Sequence, residues 1–560
     1  MNIQACKRPV FYAKRRIHMT DLERKNAWLA CPAMTEELRK ELEEMDETSL
    51  HDSFYRNLTF GTGGLRGVLG AGTNRMNFFT VAKATRGLAE YLKEAFDQPS
   101  CAISFDSRIH SEDFARLTAA VLAESGVSVW IYPRLQPTPM LSFAVRHLHT
   151  SAGIMITASH NPAKYNGYKV YGADGCQITL EAAERTQHHI DHQPDLTDDL
   201  PDFEQYLSAG TIRWITEETI EAYYQAIAKL SVKPVSEPLH LVYSPLNGTG
   251  NVPVREMMKR MKNIRVDIVT EQELPDGRFP TCPYPNPEIR EAMALAIRKT
   301  VETQADFCFA TDPDCDRMGA GVRVGDEVQL ISGNDMGILM LDFLCRNKKA
   351  SSSLPPVVVK TIVTTEMAAA LCRKHRIELR NVLTGFKFIG EQIGLLEKDH
   401  ASDRFLFGFE ESYGYLSGTD VRDKDAVNAA LLLCELASDL KAQGKTMLDR
   451  LEELRREYGF FAQRLLTFEY EGEDGANRMA AIMKTLRESE GDKTDYLLDD
   501  TGLPKSDVIE FRLPGGNKWI VRPSGTEPKL KAYLFASAET QQSAEKELDA
   551  LEVTVNTFCK

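Results

Sequence analysis

The chain has 560 residues, of which 43% are hydrophobic and 26% charged, with a formal net charge of −14. A chain of this length is too long to fold around one hydrophobic core, since domains usually run ~100–200 residues. Several domains are therefore expected. The acidic balance argues against nucleic acid or an anionic membrane surface as a partner.

The compartment and the chain start can be predicted from simple patterns. The eleven cysteines include no C-x-x-C pair, and there is no secretion signal, so we expect reduced thiols and a cytoplasmic location. No apolar stretch approaches the ~20 residues of a membrane span. Residues 1–18 are basic but lack the apolar region of a signal peptide. We expect them to be a disordered extension before Met19, which resembles a natural start.

Short apolar runs alternate with amphipathic segments along most of the chain. In chain order, the pattern predicts strands at 101–105, 127–131, 152–156, 239–243, 305–310 and 356–360, and helices at 111–125, 425–440 and 540–558. This alternation is typical of α/β domains with mixed, mainly parallel sheets covered by helices.

The spacing of these elements predicts four domains. Similar strand–loop openings suggest three related α/β units, at 19–200, 201–325 and 326–458. Strands come closer together after about Gly459, which predicts a smaller α+β domain at 459–560.

A possible nucleophile follows the predicted strand at 152–156. The segment Thr157-Ala158-Ser159-His160-Asn161-Pro162 places a serine in the turn, and Lys169 lies ten residues further on. A Ser-His-Asp hydrolase would need a G-x-S-x-G elbow, which is missing here. His160 could simply fill or cap the turn.

Three carboxylates follow the predicted strand at 305–310 at alternate positions: Asp312, Asp314 and Asp316. Ligand sites in α/β sheets lie beyond the carboxyl ends of strands. Oxygen-only ligands favour Mg²⁺ or Ca²⁺, and the alternative is a solvated acidic turn. An EF-hand is excluded because Arg317 and Arg323 stand where that loop needs Gly and Glu. With Ser159, the aspartates indicate metal-assisted phosphoryl transfer through a phosphoserine.

Five motifs in order give the chain a family resemblance. Besides the serine and aspartate segments, they are Phe60-Gly61-Thr62-Gly63-Gly64-Leu65-Arg66-Gly67, Gly408-Phe409-Glu410-Glu411-Ser412 and Arg522-Pro523-Ser524-Gly525-Thr526. The chain resembles the α-D-phosphohexomutase superfamily of phosphoglucomutases and phosphomannomutases, from about Phe60 to Tyr533. The form of the Glu410 loop is similar to that in the branch of the superfamily that includes phosphopentomutase and glucose-1,6-bisphosphate synthase.

Two positions depart from common family patterns. Gly63 stands where Ala is frequent, and Asn247 where His is frequent. The second change leaves the sugar preference open, and neither touches the phosphoryl-transfer core.

The resemblance implies four domains around a central cleft, with Ser159 as the phosphoryl carrier. Its phosphoserine would donate to a sugar monophosphate and take back the other phosphoryl group of the resulting bisphosphate. One Mg²⁺ per chain would be held by Asp312, Asp314, Asp316 and a phosphoserine oxygen. A sugar 1,6-bisphosphate would act as activator by restoring lost phosphate.

Three residues are candidates for moving the proton of the attacking hydroxyl. Lys169 is the first, by its spacing from Ser159 and by the resemblance. Arg66 is the second, although a guanidinium is a poor base. His160 is the third, with structural support of the serine turn as its favoured role.

Sugar and phosphate recognition is assigned to three further groups. Glu410 and Ser412 are expected to grip adjacent ring hydroxyls, with Lys387 assisting the same subsite. Arg317 is expected either to pair with a phosphoryl oxygen or to form a salt bridge with the neighbouring aspartates. The non-reacting phosphate is assigned to Arg522, Ser524, Gly525, Thr526 and Lys529, because they combine a bidentate guanidinium, hydroxyls, close backbone N–H groups and a further charge.

These assignments predict a mutase that interconverts glucose 1-phosphate and glucose 6-phosphate. Phosphopentomutase or phosphomannomutase activity remains an alternative, as does a phosphatase in which water accepts the phosphoryl group. A binding protein with a dead site is disfavoured because the serine, aspartates and lysine are all present. The expected partner is a phosphosugar, and the chain is expected to be a monomer or homodimer.

Overall fold

The computed structural model describes residues 19–61, 63–348, 353–470, 472–523 and 529–559. The extension expected at 1–18 and the proposed phosphate ligands Ser524, Gly525 and Thr526 lie outside these ranges.

The first segment forms a mixed sheet with helices on both sides. Its elements are α1 (Asp21–Leu29), α2 (Glu36–Glu44), α3 (Glu47–Phe54), β1 (Leu65–Val68), α4 (Phe78–Ala95), β2 (Ser100–Phe105), α5 (Ser111–Glu124), β3 (Ser128–Ile131), α6 (Thr138–His147), β4 (Ala152–Ile156), β5 (Tyr165–Gly172), α7 (Leu180–Asp191), α8 (Phe203–Ser208) and β6 (Ile212–Trp214). The strand order is β1-β5-β4-β2-β3-β6, with parallel pairing from β4 to β6 and antiparallel pairing at β5.

The second segment repeats this plan. Its elements are α9 (Glu217–Ala228), β7 (Leu239–Ser244), α10 (Asn251–Arg260), β8 (Ile264–Ile268), a 3₁₀ turn (Thr270–Gln272), α11 (Arg290–Thr303), β9 (Phe307–Thr311), β10 (Met318–Val324) and β11 (Glu327–Ile331). Strand β9 is parallel to β7 on one side and antiparallel to β10 on the other.

The third segment follows the same plan with a smaller sheet. Its elements are α12 (Gly333–Asn347), β12 (Val357–Thr361), α13 (Met367–His375), β13 (Glu378–Val382), α14 (Phe386–Lys398), a 3₁₀ turn (Ser402–Arg404), β14 (Phe405–Glu410), β15 (Gly414–Leu416), α15 (Ala426–Lys441) and α16 (Met447–Tyr458). Strand β14 is parallel to β12 and antiparallel to β15.

The last segment is an antiparallel sheet with two helices. Its elements are β16 (Phe460–Glu469), α17 (Gly472–Glu488), β17 (Lys493–Asp495), β18 (Ile509–Arg512), a 3₁₀ turn (Pro514–Gly516), β19 (Lys518–Pro523), β20 (Lys529–Ala538) and α18 (Gln541–Cys559). The strand order is β16-β20-β19-β18-β17.

The predicted elements are present, with end shifts of at most two residues. The predicted strands correspond to β2, β3, β4, β7, β9 and β12, and the predicted helices to α5, α15 and α18. Central strands such as β4 are buried throughout because helices cover both faces of the mixed sheet. The α/β class and the distinct fourth unit are therefore confirmed. The division at residues 200, 325 and 458 stays a prediction, but the first two sheets extend beyond 200 and 325, because β6 pairs with β3 and β11 pairs with β10.

Helix α15 lies at the centre of the molecule. All but its last residue are buried, and Asp425 caps its first turn by accepting from the N–H groups of Val427 and Asn428. The helix contacts α12 and β15 of its own segment as well as α9, α10, β7 and β10 of the preceding one. The second and third segments consequently share one hydrophobic core. No helix within the described ranges is long and apolar enough to cross a bilayer.

Candidate active site

Each of the first three sheets sends one loop into a common cleft from an equivalent position. The loops join β4 to β5, β9 to β10 and β14 to β15, where a strand with a parallel neighbour turns into an antiparallel one. The facing ends of β19 and β20 also border the cleft, through Arg522 and Lys529. The cleft has a volume of about 1160 Å³, and its lining includes Arg66, His160, Arg317, Glu410 and Arg522.

The serine loop holds its hydroxyl directly against the aspartate loop. The Ser159 hydroxyl donates to Asp312 Oδ2 at 2.8 Å, and its oxygen lies 3.2 Å from His160 Nδ1. The backbone N–H of Ser159 donates to Thr157 Oγ1 at 2.8 Å. Two loops that are 153 residues apart in sequence are thus joined through the predicted nucleophile.

A left-handed residue occurs in each of these three loops. The φ angles are 51° at Ser159, 53° at Cys315 and 64° at Tyr413. This conformation costs a non-glycine residue ~1–2 kcal/mol, so the surrounding contacts must hold each loop in shape.

The three aspartates form a buried group that fits a hard cation. One oxygen from each of Asp312, Asp314 and Asp316 lies within 4.8 Å of the others. Among the described residues, Oδ1 of Asp314 and Oδ1 of Asp316 have no hydrogen-bond partner. Burial and the neighbouring carboxylates raise the pKa of Asp312 well above its usual range, and they also raise that of Asp316. A cation would relieve this repulsion and satisfy the unpartnered oxygens.

Two lysines flank the carboxylates. Lys169 on β5 donates to Asp314 Oδ2 at 2.7 Å, while Lys424 lies 3.1 Å from Asp316 Oδ2. Burial favours neutral Asp314, but the Lys169 ammonium outweighs this effect, so the pKa of Asp314 is lowered. Burial also disfavours charged Lys424, but Asp316 and other carboxylates outweigh it and raise the pKa of this lysine. Lys424 was missed by the sequence analysis.

The other two proton-transfer candidates lie on the same side of the cleft. Burial and nearby arginines hold the pKa of His160 well below its usual value, so the imidazole is neutral beside Ser159. Arg66 donates to Asn161 Oδ1 at 3.1 Å. Arg66 therefore contacts the serine loop and His160 lies within it, and the roles expected for both stay predictions.

Arg317 is held by a partner that the sequence analysis did not name. Its Nη1 donates to Glu288 Oε1 at 2.5 Å and to the carbonyl oxygen of Ser412 at 3.1 Å. Its Nε is 3.9 Å from Asp316 Oδ1, at the limit of an ion pair. The predicted salt bridge to a neighbouring aspartate is thus minor, and the phosphoryl role of Arg317 stays a prediction.

The proposed sugar subsite is formed by the β14–β15 hairpin. Glu410 ends β14 and accepts from the backbone N–H of Gly385 at 3.0 Å. Burial raises the pKa of Glu410 against the opposing effect of Lys424 and Arg317. Ser412 and Gly385 line the cleft, whereas Lys387 is not among the lining residues. The Lys387 ammonium instead lies over the Phe388 ring, 4.8 Å from its centroid.

Strands β19 and β20 present several cationic side chains to the cleft. Arg522, Lys529 and Lys531 all line it. Arg522 Nη2 donates to the Tyr533 hydroxyl at 3.3 Å, and its buried Nε has no hydrogen-bond partner among the described residues. Lys529 pairs with Glu469 at 3.0 Å. Lys531, two residues after Lys529 on β20, was not identified from the sequence.

Asn247 lies in a turn that supports the aspartate loop. Its side-chain amide donates to the carbonyl oxygen of Leu274 at 2.8 Å, and its φ is 56°. Two residues later, Thr249 donates through its backbone N–H and its hydroxyl to the Pro313 carbonyl. Asn247 is absent from the cleft lining, and its contacts are with the turn that supports the aspartate loop.

Comparisons with known proteins identify the family of this chain. Models described as phosphoglucomutase/phosphomannomutase alpha/beta/alpha domains I, II and III match residues 57–195, 221–325 and 332–458. The chain belongs to the α-D-phosphohexomutase superfamily, a class of phosphotransfer mutases.

Particular relatives carry a more specific name. The phosphoglucomutase of Staphylococcus haemolyticus (strain JCSC1435) is 35% identical over 90% of this chain and 94% of its own length. The phosphoglucomutase of Staphylococcus aureus (strain USA300) is 35% identical over 91% of this chain and 95% of its own length.

Solved structures agree in fold. The open form of Paramecium pp63/parafusin has a TM-score of 0.68 at 17% identity and covers 90% of this chain and 96% of its own. A Burkholderia thailandensis phosphoglucomutase/phosphomannomutase family protein has a TM-score of 0.67 at 18% identity, with 89% and 97% covered.

Proposed function

We propose that this chain is a phosphosugar mutase of the phosphoglucomutase type, which interconverts glucose 1-phosphate and glucose 6-phosphate. The observation that carries the proposal is the buried contact of Ser159 Oγ with Asp312 Oδ2, next to a cleft that all four segments line and that includes the neighbouring residues His160 and Arg317. The name of the most similar relatives described above favours glucose over mannose or a pentose.

The proposed reaction uses Ser159 as a phosphoryl carrier. In the first half, the bond from phosphorus to Ser159 Oγ breaks as a sugar hydroxyl oxygen bonds to phosphorus. An acid–base group, for which Lys169 is the first candidate, gives a proton to Ser159 Oγ as that bond breaks and takes up the proton of the attacking hydroxyl. After the bisphosphate reorients, its other phosphoryl group returns to Ser159 by the reverse steps, so no phosphate is consumed.

The chain's own groups would divide the remaining work. Asp312, Asp314, Asp316 and a phosphoserine oxygen would hold one Mg²⁺, which neutralises charge on the transferring group. Glu410 and Ser412 would orient the sugar, whereas Lys387 would have to leave the Phe388 ring to assist them. Arg522 and Lys529 would bind the non-reacting phosphate, together with Ser524, Gly525 and Thr526 by the family resemblance. A sugar 1,6-bisphosphate is expected to restore phosphate to Ser159.

A substrate panel tests the proposed function. Glucose 1-phosphate, mannose 1-phosphate and ribose 1-phosphate are each supplied with the matching bisphosphate, and isomerised sugar and free phosphate are measured together. We expect glucose 1-phosphate to give the largest kcat/KM with little free phosphate. Phosphate release that equals or exceeds isomerisation would indicate a phosphatase, and a preference for ribose 1-phosphate would indicate a phosphopentomutase.

Metal removal should abolish turnover. Chelation is expected to stop isomerisation and Mg²⁺ to restore it, while Asp314→Asn should require far more Mg²⁺ because a ligand charge is lost. Asp342→Asn is a matched control, since Asp342 is equally buried but pairs with Arg346 and Arg450 outside the cleft. Ordinary turnover of Asp314→Asn at low Mg²⁺ would show that these carboxylates do not hold the ion.

Loss of Arg522 should affect both binding and product partition. Arg522→Ala is expected to raise KM for the sugar phosphate and to increase the fraction of turnovers lost to hydrolysis, because the cleft closes less well against water. The measurement is the ratio of isomerised sugar to free phosphate. Arg512→Ala, on β18 of the same sheet, serves as control because Arg512 does not line the cleft. An unchanged KM and ratio in Arg522→Ala would contradict the phosphate assignment.

A further inference from the structure

A buried arginine lies directly behind the serine loop. It belongs to the Asp106-Ser107-Arg108 segment at the carboxyl end of β2, which is the parallel neighbour of β4. The backbone N–H of Asp106 donates to the Ile156 carbonyl at 3.1 Å, so the segment is anchored to the strand that leads into the loop. Arg108 is only 3% exposed.

The hydrogen bonds from the Arg108 guanidinium to the serine loop all go to backbone carbonyl oxygens of the loop. It donates to the carbonyl oxygens of Ser159, Asn161, Pro162 and Tyr165, the last two at 3.0 Å. Its Nε lies 3.3 Å from Asp106 Oδ2. Because these contacts extend from the nucleophile to the start of β5, one side chain fixes the path of the whole loop.

Asp106 holds the amino side of the same loop. Its carboxylate accepts from the Thr157 hydroxyl at 2.6 Å and from the Ser111 hydroxyl at 2.7 Å. The Thr157 oxygen in turn accepts from the backbone N–H of Ser159. Both backbone polar groups of Ser159 are therefore hydrogen-bonded. The N–H donates to the Thr157 hydroxyl oxygen, and the carbonyl oxygen accepts from Arg108. This arrangement can hold the left-handed conformation of the serine.

The same segment contacts the domain that carries the aspartates. Arg108 Cζ lies 5.1 Å from the centroid of the Phe279 ring. A Cβ atom at Gly277 would approach the backbone nitrogen of Ile109 to 2.5 Å, so the two backbones pack without space between them. Arg108 thus bridges the serine loop and the second segment, whose Asp312 accepts from the Ser159 hydroxyl.

We propose that Arg108 is a positioning residue that sets Ser159 Oγ against the aspartate loop and thereby determines the rate of phosphoryl transfer to and from the serine. The inference rests on the proposed function. A lysine cannot replace this arginine, because an ammonium has three donors and no planar fork, whereas a guanidinium has five donors in fixed directions.

Labelling of the serine provides the test. Dephosphorylated wild type and Arg108→Lys are mixed with glucose 1,6-bisphosphate carrying ³²P, and the label on Ser159 is followed over time with Mg²⁺ present. We expect the labelling rate of Arg108→Lys to fall about 10²-fold, because misplacing a reacting group by ~1 Å costs a rate factor of this size. Its final occupancy should match wild type, since the serine itself is intact.

An unchanged final occupancy distinguishes a positioning role from a loss of stability. A destabilised protein would reach a lower final amount of label, whereas a misplaced serine would be labelled more slowly. In steady state, kcat should fall with little change in KM, because the proposed sugar and phosphate groups lie on other loops. Arg346→Met is the matched control. It removes another paired arginine, bonded to Asp342 and Asp439 away from the cleft, and should leave the labelling rate unchanged.

The other possible outcomes count either against the inference on Arg108 or against the proposed function. A labelling rate of Arg108→Lys within about twofold of wild type would overturn the inference. If that variant does not fold, Asp106→Asn replaces it, because it keeps the guanidinium but removes the carboxylate charge that lies 3.3 Å from Arg108 Nε and orients it, and a labelling rate within about twofold of wild type there would likewise overturn the inference. Failure of wild type to take up label would count against the proposed function instead.

Discussion

Ser159→Ala is expected to lose isomerase activity entirely, down to the background of the assay. The variant has no oxygen to carry the phosphoryl group between the two halves of the reaction. The fold should survive, because the loop is held through the Ser159 backbone by Thr157 and Arg108 rather than through its hydroxyl. Intact-mass and peptide measurements on wild type should find phosphate on Ser159, and the variant should carry none there.

Ser104→Ala is the matched control for this prediction. Ser104 is a fully buried serine on β2 whose hydroxyl donates to the Gln136 carbonyl, outside the cleft. It should retain activity with at most a small loss of stability. Full mutase activity in Ser159→Ala, or phosphate found only on another residue, would mean that the carrier has been misidentified.

Lys169→Met is expected to depress kcat by about 10²–10⁴-fold, the usual contribution of a general acid–base group. Substrate affinity should change much less, because Lys169 contacts Asp314 and Asp316 rather than the proposed sugar and phosphate subsites. Methionine preserves most of the side-chain volume. Steady-state kinetics with glucose 1-phosphate, at saturating bisphosphate and Mg²⁺, measures both parameters.

Lys360→Met controls for the loss of a buried ammonium. Lys360 is fully buried on β12, and its Nζ lies 3.3 Å from Glu366 in the third segment, outside the cleft lining. We expect that variant to lose stability rather than kcat. If Lys169→Met raises only KM, the lysine binds substrate and the proton moves through another group, with Lys424 then the strongest candidate by its position beside Asp316.

Local patterns were sufficient to predict the α/β units. Apolar runs such as those at β4 and β9 are buried on both faces, so their composition indicates central strands of a sheet that helices cover on both sides. The serine and aspartate segments could be placed because each follows such a strand. What the pattern could not supply was the antiparallel neighbour of each central strand, since pairing direction depends on the length and course of the connection.

The residues missed in the site are those whose importance arises only from tertiary contacts. Arg108 is distant in sequence from the loop that it binds, and nothing in its neighbourhood distinguishes it from a surface arginine. Lys424 lies in the charged run 422–425, which is fully buried. Such a run normally indicates a solvated turn, so its burial against Asp316 could not be read from composition. Likewise, Glu288 becomes the partner of Arg317 only when the chain folds.

Helix α15 has a consequence for the order in which the protein can assemble during synthesis. The second sheet is complete in sequence at Ile331, yet its helices α9 and α10 pack against α15, which ends at Lys441. At translation speeds of ~5–20 residues per second, the helix emerges roughly 5–20 s after that sheet. During this interval the nascent second segment exposes the apolar surface that α15 later covers. We therefore expect the growing chain to be prone to aggregation on the ribosome during this window, when a chaperone that binds apolar segments would protect it.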